Sequence, residues 1–295
     1  MDRENGAALA RLEDAFARAS ERHANGHALL GLVGAGVSAR LGYPLWAELL
    51  SALEEEVARV RPEVAPAIEA AHQLPDKLWR AEECRRFLGE ARFAAFIRRT
   101  FAPNGEEPNG FHDALVRLPF RHVLTTNFDV VLEAAHERAN GERARSFAWD
   151  GVASLDELLA GAERAYVHLY GRYDGPVVLS EWDFRDRYVH KEEPRDALAR
   201  VLAAHPIVSI GFSLSDLDLM AVFREGSTHG EREHGGHFAF LPLEKDEDPG
   251  VFRRWLKGKF AIEPVFYRLS EKHEELDELI SGIRGPCPRA PSTPS

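Results

Sequence analysis

Ala28-Leu29-Leu30-Gly31-Leu32-Val33-Gly34-Ala35-Gly36 is the stretch that decides the fold. Six residues with no charge and almost no polarity read as a strand buried on both faces. The glycines that follow read as a sharp turn into a helix. A strand covered on both faces belongs in a parallel sheet sandwiched between helices.

Working outward, the pattern repeats. Arg121-His122-Val123-Leu124-Thr125 is predicted as a second strand, and Thr126-Asn127-Phe128-Asp129 leads from it into a helix ending near Ala139. Ala165-Tyr166-Val167-His168-Leu169-Tyr170 is predicted as a third strand, closed by Gly171, with Pro176-Val177-Val178-Leu179 as a further short one. Pro206-Ile207-Val208-Ser209-Ile210 reads as a buried strand ending at Gly211. Residues 237–241 and 263–266 complete the strands. Helices are expected at 4–24, 197–204, 249–257 and 271–283. The expected architecture is α/β: a Rossmann-like parallel sheet with helices on both faces. A helical insertion is expected at about 45–118, inside one domain spanning 1–284. Residues 285–295, rich in Pro and Ser, read as a disordered tail.

Composition excludes several classes. The 295 residues carry 37 basic and 48 acidic side chains, a net charge of −11, which argues against a general nucleic-acid coat. No apolar run reaches the roughly 18–20 residues of a membrane span. The charged N-terminus lacks the apolar core of a signal peptide, so a cytoplasmic location is expected. The two cysteines, Cys84 and Cys287, cannot build a four-cysteine zinc site. His229, His234 and His237 sit among glycines without helical spacing and read as a solvated loop rather than a metal site.

In a parallel sheet, ligands bind beyond the carboxyl ends of the strands. The unusual polar segments all fall at such ends. Gly34, Ala35, Gly36 and Ser38 could let backbone approach a phosphate, or could form an ordinary turn. Asn127 could orient a water or a ribose hydroxyl, and Asp129 could accept from a hydroxyl; either could instead cap the next helix. His168 and Tyr170, two apart on a strand, should share a face, and His168 could serve as a base near neutral pH or as a buried structural histidine. Gly211 and Ser213 could contact ribose or phosphate, with Ser215 or Asp216 capping the helix beyond.

Taken in order, these motifs resemble the sirtuin-like family: Gly34-Ala35-Gly36-Val37-Ser38 with Gly42, Pro44 and Trp46 downstream; Thr125-Thr126-Asn127-Phe128-Asp129; the segment ending at Gly171; and Gly211-Phe212-Ser213 with Asp216. The resemblance runs from about Leu29 to Leu219. Residues 178–184, and Phe266-Tyr267 with His273 and Leu276, resemble the bacterial branch. Deacylase sirtuins carry a zinc ribbon of four cysteines. With two, this chain is similar to the zinc-free branch of bacterial antiphage defence, and no metal is expected.

That resemblance implies a substrate, NAD⁺, and a reaction: cleavage to nicotinamide and ADP-ribose by an NAD⁺ glycohydrolase (NADase). It implies that Gly34, Ala35, Gly36 and Ser38 line the phosphates and ribose, with Pro44 and Trp46 in the same cofactor segment. Asn127 would hold the attacking water or the nicotinamide-side ribose, assisted by Asp129. Gly211, Ser213 and Asp216 would serve the adenosine half. The family's catalytic histidine directly precedes the motif glycine, and here that position is Tyr170. Three outcomes stay open: His168 substitutes for it, Tyr170 supplies a hydrogen bond, or the chain is an inactive NAD⁺- or ADP-ribose-binding subunit. Implied partners are further copies of the chain, or a separate sensor protein such as an ATPase or an Argonaute-type protein, with no direct contact to nucleic acid or membrane.

Overall fold

A computed structural model describes residues 3–21, 29–149, 155, 159, 163–190, 192–214, 219–222, 224, 236–244, 247–270 and 273–283. Its centre is a seven-stranded sheet: β1 (Leu30–Val33), β2 (Val123–Thr125), β3 (Arg145–Ala148), β4 (Ala165–His168), β5 (Ile207–Ile210), β6 (His237–Leu243) and β7 (Ile262–Arg268). The spatial order is β3-β4-β2-β1-β5-β6-β7, and every pairing is parallel. The expected Rossmann-like parallel sheet is what the chain forms.

The helices in chain order are α1 (Arg3–Glu21), α2 (Ala35–Ser38), α3 (Trp46–Val60), α4 (Ala65–His72), α5 (Lys77–Leu88), α6 (Glu90–Phe101), α7 (Gly110–Arg117), α8 (Val131–Asn140), α9 (Glu181–Phe184), α10 (Glu192–Ala204), α11 (Pro249–Phe260) and α12 (Glu274–Gly282). Strand alternation sends side chains to two apolar layers. Leu30, Leu32, Leu124 and Val167 pack with Leu198 and Val201 of α10 and with Leu256 of α11. Val33, Val123, Tyr166 and Ile210 pack with Leu12 of α1, Leu115 of α7, Leu132 of α8 and Ile280 of α12. A third cluster joins Leu50 and Leu53 of α3, Cys84 of α5 and Phe96 and Ile97 of α6. The helical segment between β1 and β2 therefore has its own core over α3–α6, whereas α7 packs under the sheet. Burial raises the Cys84 thiol to about 12, which makes it an inert core side chain.

Two differences from the sequence reading have physical reasons. Residues 176–179 form no strand: Val177 makes one antiparallel bridge to Gly171, and Pro176 has no N–H to extend it. The edge strand β3 was not expected, because its residues are half exposed and lack an apolar run. The opposite edge strand, β7, is shielded by a side chain. Asn5 accepts from the Phe266 N–H (2.7 Å) and donates to the Phe266 carbonyl (2.7 Å), imitating a further strand. His229, His234, Asp216, Cys287 and the tail at 285–295 lie outside the described residues. His237 Nδ1 accepts from the Ile207 N–H at the start of β5 (3.2 Å), a structural contact. Among the described residues, no helix is long and apolar enough to cross a membrane.

Candidate functional site

Because β1, β2, β4 and β5 are parallel neighbours, the polar segments after them meet at one edge of the sheet. The strand order reverses at β1: β2, β4 and β3 run to one side, and β5, β6 and β7 to the other. Such a reversal opens a crevice beyond the strand ends, where α/β proteins bind ligands.

The turn after β1 crosses the turn after β5 at close range. The Gly34 N–H donates to the Ile210 carbonyl (3.0 Å) and the Gly36 N–H to the Gly211 carbonyl (2.9 Å). A Cβ on Gly34 would lie 2.6 Å from the Gly211 oxygen, and one on Gly211 2.8 Å from the Val37 nitrogen. The glycines were read as room for a pyrophosphate. The structure gives them a further reason, the packing of two turns backbone to backbone.

Below this crossing lies a buried polar network. Ser38 is 1% exposed; its Oγ donates to Asp129 Oδ1 (2.9 Å) and accepts from Asn127 Nδ2 (2.9 Å). Asn127 Nδ2 also donates to the Gly34 carbonyl (3.2 Å). The Asn127 N–H donates to Thr125 Oγ1 (3.1 Å), which itself donates to the Val33 carbonyl (2.8 Å). These donors and acceptors fix the amide's orientation, and they leave Asn127 Oδ1 buried with no hydrogen-bond partner. A buried acceptor in that condition costs about 1–3 kcal/mol unless something donates to it.

Asp129 stands one residue ahead of Val130, the N-cap of α8, and its Oδ1 accepts from the Val131 N–H (3.0 Å) as well as from Ser38. Burial pushes its carboxyl above the usual range, against the lowering effect of the Val131 and Ser38 hydrogen bonds and of His168. The folded chain thus holds this proton more tightly than the unfolded one. Asp129 contributes a stability that is lost as pH rises through its folded value from an unfolded value of about 4. Asp129→Asn should flatten the pH dependence of the thermal midpoint above about pH 4 and leave the midpoint at neutral pH equal or higher. An unchanged slope relative to wild type would refute this.

His168 and Tyr170 do not share a face. β4 ends at His168, and Leu169 and Tyr170 enter a turn in which the Gly171 N–H donates to the His168 carbonyl (3.3 Å). Strand alternation stops with the strand. The His168 ring is buried, with Nδ1 2.8 Å from the Asn127 carbonyl and Nε2 2.7 Å from Glu133 Oε1. Tyr170 instead packs edge-on against Phe184 and Tyr188.

Of the remaining expected residues, Ala35 and Gly36 are partly exposed on α2, Gly211 is partly exposed and Ser213 is exposed. Pro44 and Trp46 are half-buried where α3 begins, and Trp46 packs on the helical cluster. Two neighbours escaped the sequence reading. Tyr43 is buried, and its hydroxyl is pushed up by burial and by the Asp129 charge. Glu133, in the first turn of α8, reaches back to His168. A carboxylate six residues after Asn127 was the available signal, but helix-terminal acids are too common to single it out. Among the described residues, no three His, Cys, Asp or Glu side chains converge as a metal site requires.

The model of the SIR2-like domain family matches residues 121–262. Defense-associated sirtuin 2 of Bacillus subtilis is 26% identical over 198 residues, which cover 65% of this chain and 18% of that protein. NAD(+) hydrolase ThsA of Bacillus cereus is 24% identical over 216 residues, covering 72% of this chain and 42% of that protein. A crystal structure of a SIR2 homolog–NAD complex aligns over 92% of this chain and 93% of that one, with 18% identity and a TM-score of 0.44. The chain thus spans less than half the length of these curated relatives. The family match runs from the start of β2 to the start of β7, so residues 121–262 are similar to the SIR2-like domain family.

Proposed function

We propose that the chain is an NAD⁺ hydrolase, cleaving NAD⁺ to nicotinamide and ADP-ribose and acting in antiphage defence by depleting the cofactor. The observation that carries this reading is Asn127 Oδ1, a buried acceptor without a donor at the crevice where the strand order reverses. Support comes also from the names of the relatives, NAD(+) hydrolase and defense-associated sirtuin.

Losing nicotinamide leaves an oxocarbenium-like ribose cation. Cleavage needs a fixed acceptor and a positioned water more than a strong base. Asn127 Oδ1 supplies the acceptor, for the water or for a ribose hydroxyl. The raised Asp129 carboxyl, bonded to Ser38, sits within the same network. Residues 34–36 and Ser38 face the phosphate and ribose side, with Pro44 and Trp46 flanking; Gly211, Ser213 and Asp216 serve the adenosine half. The chain works in the cytoplasm, where NAD⁺ is found, and is triggered through copies of itself or a separate sensor protein. Two cysteines are too few for a zinc ribbon, which weighs against protein deacylation as the reaction.

A second reading has one specific observation in its favour. At the position of the family's catalytic histidine stands Tyr170, packed among aromatic rings. A chain that binds ADP-ribose without cleaving NAD⁺ would fit this. Purified protein, alone and with candidate partners, is expected to release nicotinamide from NAD⁺, and Tyr170→His to increase the rate. Absence of release in every assembly state, with ADP-ribose binding retained by calorimetry, would replace the first reading with the second.

A further inference from the structure

His168 lies between two acceptors. The Asn127 carbonyl oxygen has only lone pairs, so Nδ1 must carry a proton to meet it at 2.8 Å. Nε2 meets Glu133 Oε1 at 2.7 Å, and that oxygen also receives the Ser146 hydroxyl. A neutral imidazole donates from one nitrogen alone. Two acceptors are satisfied together by an imidazolium facing a carboxylate. Burial alone would raise the Glu133 carboxyl, but the His168 hydrogen bond and charge and the Ser146 hydroxyl hold it below its ordinary value. Both partners are buried, and Glu133 Oε2 has no hydrogen-bond partner, so the carboxylate is held through Oε1, by the ring and the Ser146 hydroxyl.

We propose that Glu133 and His168 form a positioning pair for Asn127: a buried imidazolium, held in place by the Glu133 carboxylate, grips the Asn127 backbone carbonyl and thereby aims its side-chain oxygen. The idea rests on the reading of Asn127 as the residue that acts on NAD⁺. It gives His168 a role other than base, because an imidazolium with both N–H groups engaged has no lone pair to accept a proton. The pair completes the immobilisation of Asn127. Thr125 holds its N–H, His168 its carbonyl, and Gly34 and Ser38 its amide nitrogen. Oδ1 is then the one polar atom of the residue left for a ligand. Charge-assisted bonds are stronger than neutral ones, which suits a group that must not rotate when water or ribose arrives. The charges facing the pair are the Asp129 carboxyl and, through Ser146, the Arg172 guanidinium.

The test uses the full chain and two readouts. In ¹⁵N spectra of the wild type at neutral pH, one histidine ring, missing from His168→Gln, should be doubly protonated. A neutral His168 ring in folded wild type at neutral pH would overturn the proposal without any variant. Glu133→Gln keeps shape but not charge; it should lower kcat for nicotinamide release about 10- to 100-fold with KM changed less than about threefold. It should also shift the Asn127 side-chain amide signals while leaving those of Asn104 in place. Full kcat, or unmoved Asn127 signals, would overturn the pair. If wild type releases no nicotinamide, the proposed function fails on its own, and the ring and amide spectra still decide the pair.

Discussion

Asn127→Ala is expected to lower nicotinamide release by about 100- to 1,000-fold, the scale seen when one preorganised polar group at a reacting centre is removed. The variant deletes the buried acceptor Oδ1 and two donated bonds, to the Gly34 carbonyl and to Ser38. Those bonds hold together the ends of β1 and β2, so a modest fall in thermal midpoint should accompany the loss. Ser38 then loses one donor but keeps its bond to Asp129. Nicotinamide release measured by chromatography, beside a thermal melt, separates the two effects. A folded Asn127→Ala protein with wild-type turnover would remove Asn127 from the reaction.

The largest expected effect on stability is at Gly171. Its φ is +84°, and a Cβ there would lie 2.1 Å from the Pro176 carbonyl oxygen. Gly141 offers the comparison: its φ is +72°, with nothing within 4 Å of a Cβ. Gly141→Ala should cost about 1–2 kcal/mol, the strain of a left-handed residue. Gly171→Ala adds a collision with backbone that cannot swing aside, and should cost more than about 3 kcal/mol in denaturant unfolding. The turn also carries Tyr173, whose N–H donates to the Phe128 carbonyl between Asn127 and Asp129 (2.9 Å), so activity should fall with stability. Equal losses at the two glycines would refute the Pro176 contact.

Much of the fold was legible because three- and four-residue strands buried on both faces leave largely apolar runs. β1, β2, β4 and β5 all announce themselves this way, and each is followed by a turn of distinctive residues. β3 was not legible, because a half-exposed edge strand has no run to see. The segment 176–179 has strand-like composition but one bridge, since composition cannot show whether a partner strand is present. At the site, Ser38, Asn127 and Asp129 were found as separate motifs. That they form a single hydrogen-bonded network could not be read, because Ser38 lies 91 residues from Asp129 and 89 from Asn127.

The glycine turn after Leu30-Gly31-Leu32-Val33 and the parallel sheet it begins were determined by the sequence alone, because burial on both faces and backbone permissiveness are local properties of residue type. The shortage of cysteines for a zinc ribbon is equally local. Only the tertiary structure decided the histidine question. Spacing put His168 and Tyr170 on one face. The strand's end at His168 separates them, one into hydrogen-bonding contact with Glu133 and the Asn127 carbonyl and the other into an aromatic cluster. Where a strand stops depends on how far its neighbours pair with it, and that is a property of the assembled sheet.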